Sequence, residues 1–224
     1  MTGWLGVALW GGIVGSDSTS FPQVMVSRPL VAGAVTGLIF GRPLEGAVVG
    51  FLVEVFSLTT LPIGAARYPE SGTATVAAAA AYSAVAPAGL DPGYLVLALA
   101  FALAWERLGS VTVVLQRRAN GRMLIRATAM AAGKLERRHL AAMTLDFLRG
   151  AALCLLGGLS GALLIGLVGP LWGLDSGPTA ALLAVLAAAM VGTSLPLFSG
   201  PVKNWLPVLA GAAAGILVAM ALLP

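Results

Sequence analysis

The stretch "SRPLVAGAVTGLIFGRPLEGAVVGFLVEVFSL" (Ser27–Leu58) decides how this chain folds. Its two apolar runs, Leu30–Phe40 and Ala47–Leu58, each fall short of the about 20 residues that a helix needs to cross a bilayer. Glycine recurs every fourth residue in the first part, at Gly33, Gly37 and Gly41, and again at Gly46 and Gly50. That spacing lays small residues along one helix face and lets backbones approach closely. A carboxylate, Glu54, sits inside the second run, where insertion costs roughly 2.5–3.5 kcal/mol unless a cavity or a partner receives it. The segment therefore reads as a broken hairpin of two short helices, each opened by a proline (Pro29, Pro43), a residue welcome in a first turn. Backbone freed from helix geometry is tolerated at membrane depth only where protein or a water-filled cavity surrounds it.

The rest of the chain fits a membrane setting. Of its 224 residues, 58% are apolar and 10% charged, against about 45–50% and 25% in soluble domains. The expected fold class is an all-α polytopic integral membrane protein with about six to eight membrane segments, re-entrant or discontinuous helices filling the N-terminal half. Long Ala/Leu/Val runs such as Ala180–Met190 lack the alternation of a barrel strand. "MTGWLGVALWGGIVGSDS" has no basic residue before its apolar core and reads as a retained first helix. The lone Cys154 can form no internal disulfide. Residues 1–224 read as a single membrane-embedded domain, with residues 27–72 as the broken hairpin and site region.

The net charge of +4 is concentrated. Arg117, Arg118, Arg122, Arg126, Lys134, Arg137 and Arg138 cluster in residues 116–140, which read as a basic cytoplasmic loop beside anionic lipid. No aromatic residues interleave that charge, so nucleic acid is not an expected partner. With the loop inside, Tyr94–Leu115 runs inward, Leu145–Val168 outward, Thr179–Phe198 inward and Trp205–Leu223 outward. Asp91 and Asp175 then fall outside and Lys203 inside.

Glu54 leads the candidate site residues, as a hydrogen-bond acceptor for a polar substrate at membrane depth or as one half of an ion pair with Arg28 or Arg67. "LPIGAARYPESG" (Leu61–Gly72) follows with Gly64 and Pro62 as hinges and with Arg67 and Glu70, in the kind of unwound stretch where carriers place binding groups. "GSDSTSFPQ" (Gly15–Gln23) sets Asp17, four hydroxyls and Gln23 between apolar runs; these groups bind sugar hydroxyls and also build turns and helix caps. Gly33, Gly37, Gly41, Gly46 and Gly50 are read first as helix-packing positions and second as a sliding surface. "GLSG" (Gly158–Gly161) has the nucleophile spacing of an intramembrane serine protease, but the single histidine, His139, lies in the polar segment, so Ser160 reads as a packing residue. No metal cluster and no cofactor are expected.

With those residues in view, "SRPLVAGAVTGLIFGRPLEGAVVGFLVEVFSLTTLPIGAARYPESGTATVAA" resembles the signature region of the mannose/fructose/sorbose family of phosphotransferase-system (PTS) permeases, component IIC. The resemblance is carried by Arg28-Pro29-Leu30, Gly37 and Gly41, Glu54 within "VEV", Pro62-Ile63-Gly64-Ala65 and Pro69-Glu70. It is dense over residues 12–80 and looser beyond, where "LERRHLAAMTLDFLRGAAL" (Leu135–Leu153) is similar to the family's entry into its later helices. Arg42 stands where the family's turn commonly has an acid, and Glu70 where Asp is common.

The resemblance implies a multi-pass subunit of the bacterial cytoplasmic (inner) membrane that binds a hexose-type sugar. It would work with a IID subunit, commonly as an oligomer, by an elevator-like shift of a core against a scaffold. Phosphate would pass through the IIA and IIB carriers and never through IIC, so the chain itself would be no enzyme. Glu54 would be the principal sugar ligand, with Asp17, Gln23, Arg28, Arg67 and Glu70 behind it. Competing readings are a regulatory or docking subunit with a decayed sugar site, and an unrelated small-solute carrier.

Overall fold

The computed structural model describes residues 2–58, 68–125 and 132–199, together with residue 213. Among these, seven α-helices follow in order: α1 (Thr2–Thr19), α2 (Pro29–Ile39), α3 (Pro43–Ser57), α4 (Ser71–Val85), α5 (Pro92–Ile125), α6 (Ala132–Val168) and α7 (Ser176–Ser199). A single 3-10 turn, Gly169–Leu171, lies between α6 and α7. Arg67, Gly64, Arg126, Lys203 and the expected span Trp205–Leu223 lie outside the described residues.

The broken hairpin folds as two half-helices. At 1.5 Å per residue, α2 and α3 reach only about 16 and 22 Å, short of the about 30 Å hydrocarbon core. Pro29 and Pro43 each open their helix. Between the helices Gly41 takes φ +72°, the left-handed geometry that a side chain disfavours. The two helices meet glycine to glycine. A Cβ on Gly33 would come within 2.8 Å of the Gly50 Cα, and one on Gly37 within 2.8 Å of the Gly46 Cα. Backbone contact this close admits no side chain, so the glycine spacing serves the packing of α2 on α3.

Alanine-rich α4 is the axis of the fold, touched by α1, α2, α3, α5 and α6. Ala77–Ala81 and Tyr82 are fully buried, since a helix enclosed on all sides needs small residues to let its neighbours close in. Around it Val49, Val53, Leu95, Leu99 and Ile165 form the main core. A second glycine contact joins α1 to α6, where a Cβ on Gly15 would stand 2.6 Å from the Gly150 Cα. Exposed Leu5 and Leu9 on α1 and Leu156, Leu163 and Leu167 on α6 give the outside the apolar surface a bilayer solvates.

Two boundaries differ from the expectation. First, α1 takes in Ser16–Thr19, part of the polar stretch that the sequence sets between apolar runs. The Ser18 and Thr19 hydroxyls donate to the Gly15 carbonyl at 3.0 and 2.8 Å, which lets polar residues stay in the helix. Second, most of residues 116–140 is helix, not loop: α5 continues to Ile125 and α6 begins at Ala132. Arg, Gln, Glu and Lys are good helix formers, so these helices outrun their apolar parts.

Candidate functional site

Four helix ends converge on one cavity of about 480 Å³, within the about 300–1,000 Å³ range of small-molecule sites. Asp17 and Ser18 come from the end of α1, and Gln23 and Ser27 from the loop after it. Arg28 and Pro29 come from the start of α2, Ser57 from the end of α3, and Tyr68, Glu70, Ser71 and Gly72 from the start of α4. The N-termini of α2 and α4 bring their positive dipole ends to it. Glu70 packs on Gly109, whose Cβ would stand 3.0 Å from Glu70 Oε2. Gly109 lies well inside the apolar part of α5, so the cavity reaches membrane depth.

Of the six residues expected to bind substrate, Asp17, Gln23, Arg28 and Glu70 line this cavity together, and Glu54 stands behind it. Glu54 forms the ion pair with Arg28 at 2.7 Å and also accepts the Leu30 N–H at 3.3 Å. It thus fixes both the Arg28 guanidinium and the first turn of α2. Asp17 is equally engaged: its two oxygens accept the N–H groups of Val24 at 2.6 Å and Ser27 at 2.9 Å. That grip shapes the loop in which Gln23 and Met25 take φ +59° and +67°.

The charge at the floor of the site belongs to a pair that sequence reading missed. Arg149 of α6 grips Glu70 with both terminal nitrogens, at 2.7 and 2.8 Å. Only 9% of the Arg149 side chain and 1% of Glu70 remain exposed. Ser18 Oγ donates to Glu70 Oε1 at 3.2 Å, and Arg149 also reaches Thr112 Oγ1 and the Gly15 carbonyl at 3.2 and 3.4 Å. One buried pair therefore ties α1, α4, α5 and α6. Tyr68 closes the edge: its hydroxyl donates to the Ser18 carbonyl at 3.1 Å and accepts from Arg117 at 3.3 Å. The cost argument that picked out Glu54 applies to Arg149, a base alone among Leu148, Ala151, Ala152 and Leu153, and would have found it.

Other singled-out residues have structural surroundings. Arg42 donates to the carbonyls of Ser83, Ala86, Pro87 and Gly89 and pairs with Glu45 at 3.2 Å, tying the α2–α3 turn to the end of α4. Ser160 Oγ donates to the Gly157 carbonyl at 3.2 Å, a bond within its own helix.

Comparison with known proteins places this architecture. The family described as "PTS system sorbose-specific iic component" matches residues 2–169, the stretch from α1 through the end of α6. A protein of Lacticaseibacillus casei, "PTS system sorbose-specific EIIC component", is 35% identical over 69 residues, 31% of this chain and 24% of that protein. The match to this relative thus spans about a quarter of its length. With the family match covering three-quarters of the chain, the chain belongs to the family of PTS sorbose-specific IIC components.

Proposed function

We propose that this chain is the sugar-permease subunit, IIC, of a mannose-type phosphoenolpyruvate-dependent phosphotransferase system in a bacterial cytoplasmic membrane. It binds a hexose-type sugar and, with a IID subunit, presents it for phosphorylation by IIB. Phosphoryl transfer stays with the IIA and IIB carriers, and the chain works as a transport subunit rather than an enzyme. One observation carries this reading: four helix ends meet around a cavity into which the polar groups of Asp17, Gln23, Arg28 and Glu70 are gathered. A sugar offers hydroxyls that donate to carboxylates and accept from guanidinium and amide groups, and this lining supplies both kinds of partner. Gln23 and Arg28 are the groups we assign to direct contact. Glu54 acts through Arg28, and Glu70 supplies remaining acceptor capacity beside Arg149.

The regulatory or docking reading has one observation in its favour. Asp17, Glu54 and Glu70 are all engaged by partners within the fold. The test is binding of labelled hexoses to the chain co-expressed with its IID-type subunit, comparing wild type, Gln23→Ala and Glu54→Gln. Saturable binding that weakens about ten- to a hundredfold in Gln23→Ala, the worth of one or two lost hydrogen bonds, supports the permease. Absence of binding by a folded wild-type complex favours the regulatory subunit.

A further inference from the structure

The outward stripe of α5 carries a cation at mid-membrane depth. Ala100, Ala104, Arg107, Leu108, Val111 and Leu115 are exposed, while Leu95, Leu99, Ala102, Glu106 and Val113 are turned into the core. Counting back about 20 residues, the length of a span, from Gln116 at the edge of the basic end reaches Leu97, so Arg107 falls at the middle. Three-quarters of its side chain is exposed, and its Nε stands 3.6 Å from Glu106, an ion pair beyond hydrogen-bond length. An arginine facing lipid at that depth is strongly unfavourable; such residues face a protein interior, a cavity or an opposite charge. Ala100 and Ala104, one turn apart, leave room for another helix to approach closely.

We infer that this face of α5 seats a transmembrane helix of a different chain, one that carries an Asp or Glu opposite Arg107. A second copy of this chain does not fit. Two copies inserted in the same sense and paired through α5 about a twofold axis along the membrane normal would bring Arg107 against Arg107. A different face of a copy offers no free acid at that depth either, the exposed Glu136 and Asp175 lying at helix ends. Among the described residues, the carboxylates within the apolar helices are the buried Asp17, Glu106 and Asp146, the Arg28-bound Glu54 and the Arg42-bound Glu45.

The inference rests on the permease-subunit reading for its probe, the IID-type subunit encoded with this chain. Both are co-expressed and purified in mild detergent, with a photo-crosslinking residue at Val111. Wild type is expected to form the complex and to crosslink to a partner helix within one turn of an acid. Arg107→Glu is expected to reduce co-purification about tenfold or more, and a Lys at that partner acid to restore it. Should Arg107→Glu fail to insert, Ala104→Leu blocks the close approach without touching charge and is expected to weaken the complex likewise. The idea is overturned by a wild type that forms no complex, by a folded Arg107→Glu or Ala104→Leu that binds normally, or by crosslinks to lipid or to a second copy alone. Sugar binding on the same preparations is read separately, so the proposed function and this interface fail by different measurements.

Discussion

Replacing Arg149 with glutamine should be among the most damaging single changes in this protein. Glu70 is 1% exposed and receives both terminal nitrogens of Arg149 at 2.7 and 2.8 Å. Removing the guanidinium leaves that carboxylate buried without its counter-charge, which costs about 3–5 kcal/mol. At about 1.4 kcal/mol per factor of ten, the folded-to-unfolded ratio falls by roughly a hundred- to several-thousandfold. The bonds to Thr112 and the Gly15 carbonyl go as well, so the tie from α6 to α1 and α5 weakens with the pair. Glu70→Gln leaves Arg149 with Asp146, 4.0 Å from its Nε, as its remaining carboxylate and should cost less. The double variant carries neither charge and should lose less than the sum of the two, with a coupling of about 2 kcal/mol or more. Arg149→Lys keeps the charge but not the fork and should fall between wild type and Arg149→Gln. The assay is reversible unfolding in mixed detergent micelles, followed by Trp fluorescence across the full cycle. Additive single effects would show that the pair is a bystander and does not tie α6 to α1, α4 and α5.

Three further outcomes follow from the geometry. Arg42→Gln removes a cation that binds four carbonyls around the end of α4 and should cost about 2–3 kcal/mol, read as a lower thermal midpoint in detergent; an unchanged midpoint would mean the cluster carries no net stability. Gly41→Ala strains only the backbone, since φ is +72° and nothing lies within 4 Å of the added methyl, whereas Gly46→Ala drives a methyl to 2.6 Å from the Gly37 Cα. The first should cost about 1 kcal/mol and the second more, about 1–3 kcal/mol or beyond; equal losses would refute the backbone contact between α2 and α3. Cys154 is fully buried and should resist maleimide in the folded protein while reacting fully in SDS; rapid labelling under native conditions would contradict the α1–α4–α6 packing.

The hairpin was legible because proline and glycine act locally. Pro29 and Pro43 fix where α2 and α3 begin, and the four-residue glycine spacing requires a close neighbour. Helix ends set by hydropathy were less legible. Ser18 and Thr19 satisfy their hydroxyls on the Gly15 carbonyl, and the basic residues after Gln116 are as compatible with helix as with a loop. The convergence of Asp17, Gln23, Arg28 and Glu70 was foreseeable from polar groups placed between short apolar runs. Arg149 was not paired in advance because its partner lies 79 residues away. No local pattern specifies a contact made by packing α6 against the start of α4. Arg42 stands out in the sequence only as a basic residue where the family's turn commonly has an acid, and its role emerges once the α4 carbonyls are seen around it.

The placement of these ties bears on how such a subunit could move. At one end the α2–α3 hairpin is held by Arg42 on the α4 carbonyls, and at the other by close approach of Gly72 to the Ser27 backbone. Between those points Glu54 binds Arg28 and the Leu30 amide, bracing α3 against the start of α2. The glycine faces lie inside the hairpin, where a shift of one helix past the other would drive Gly37 and Gly46 out of backbone contact. A sliding surface needs the reverse: small residues between bodies, with no ion pair spanning them. The hairpin and α4 therefore behave as one unit, and any displacement that opens the cavity must fall elsewhere. The cavity wall facing α1 is where the loop gripped by Asp17 supplies Gln23, and α1 is bound to α6 through Gly15, Gly150 and Arg149. The Glu70–Arg149 pair spans α4 and α6, and Ser18 joins α1 to it. By the same criterion α1 and α6 belong with the hairpin and α4, and a substrate held between Gln23 and Arg28 would sit within one braced unit.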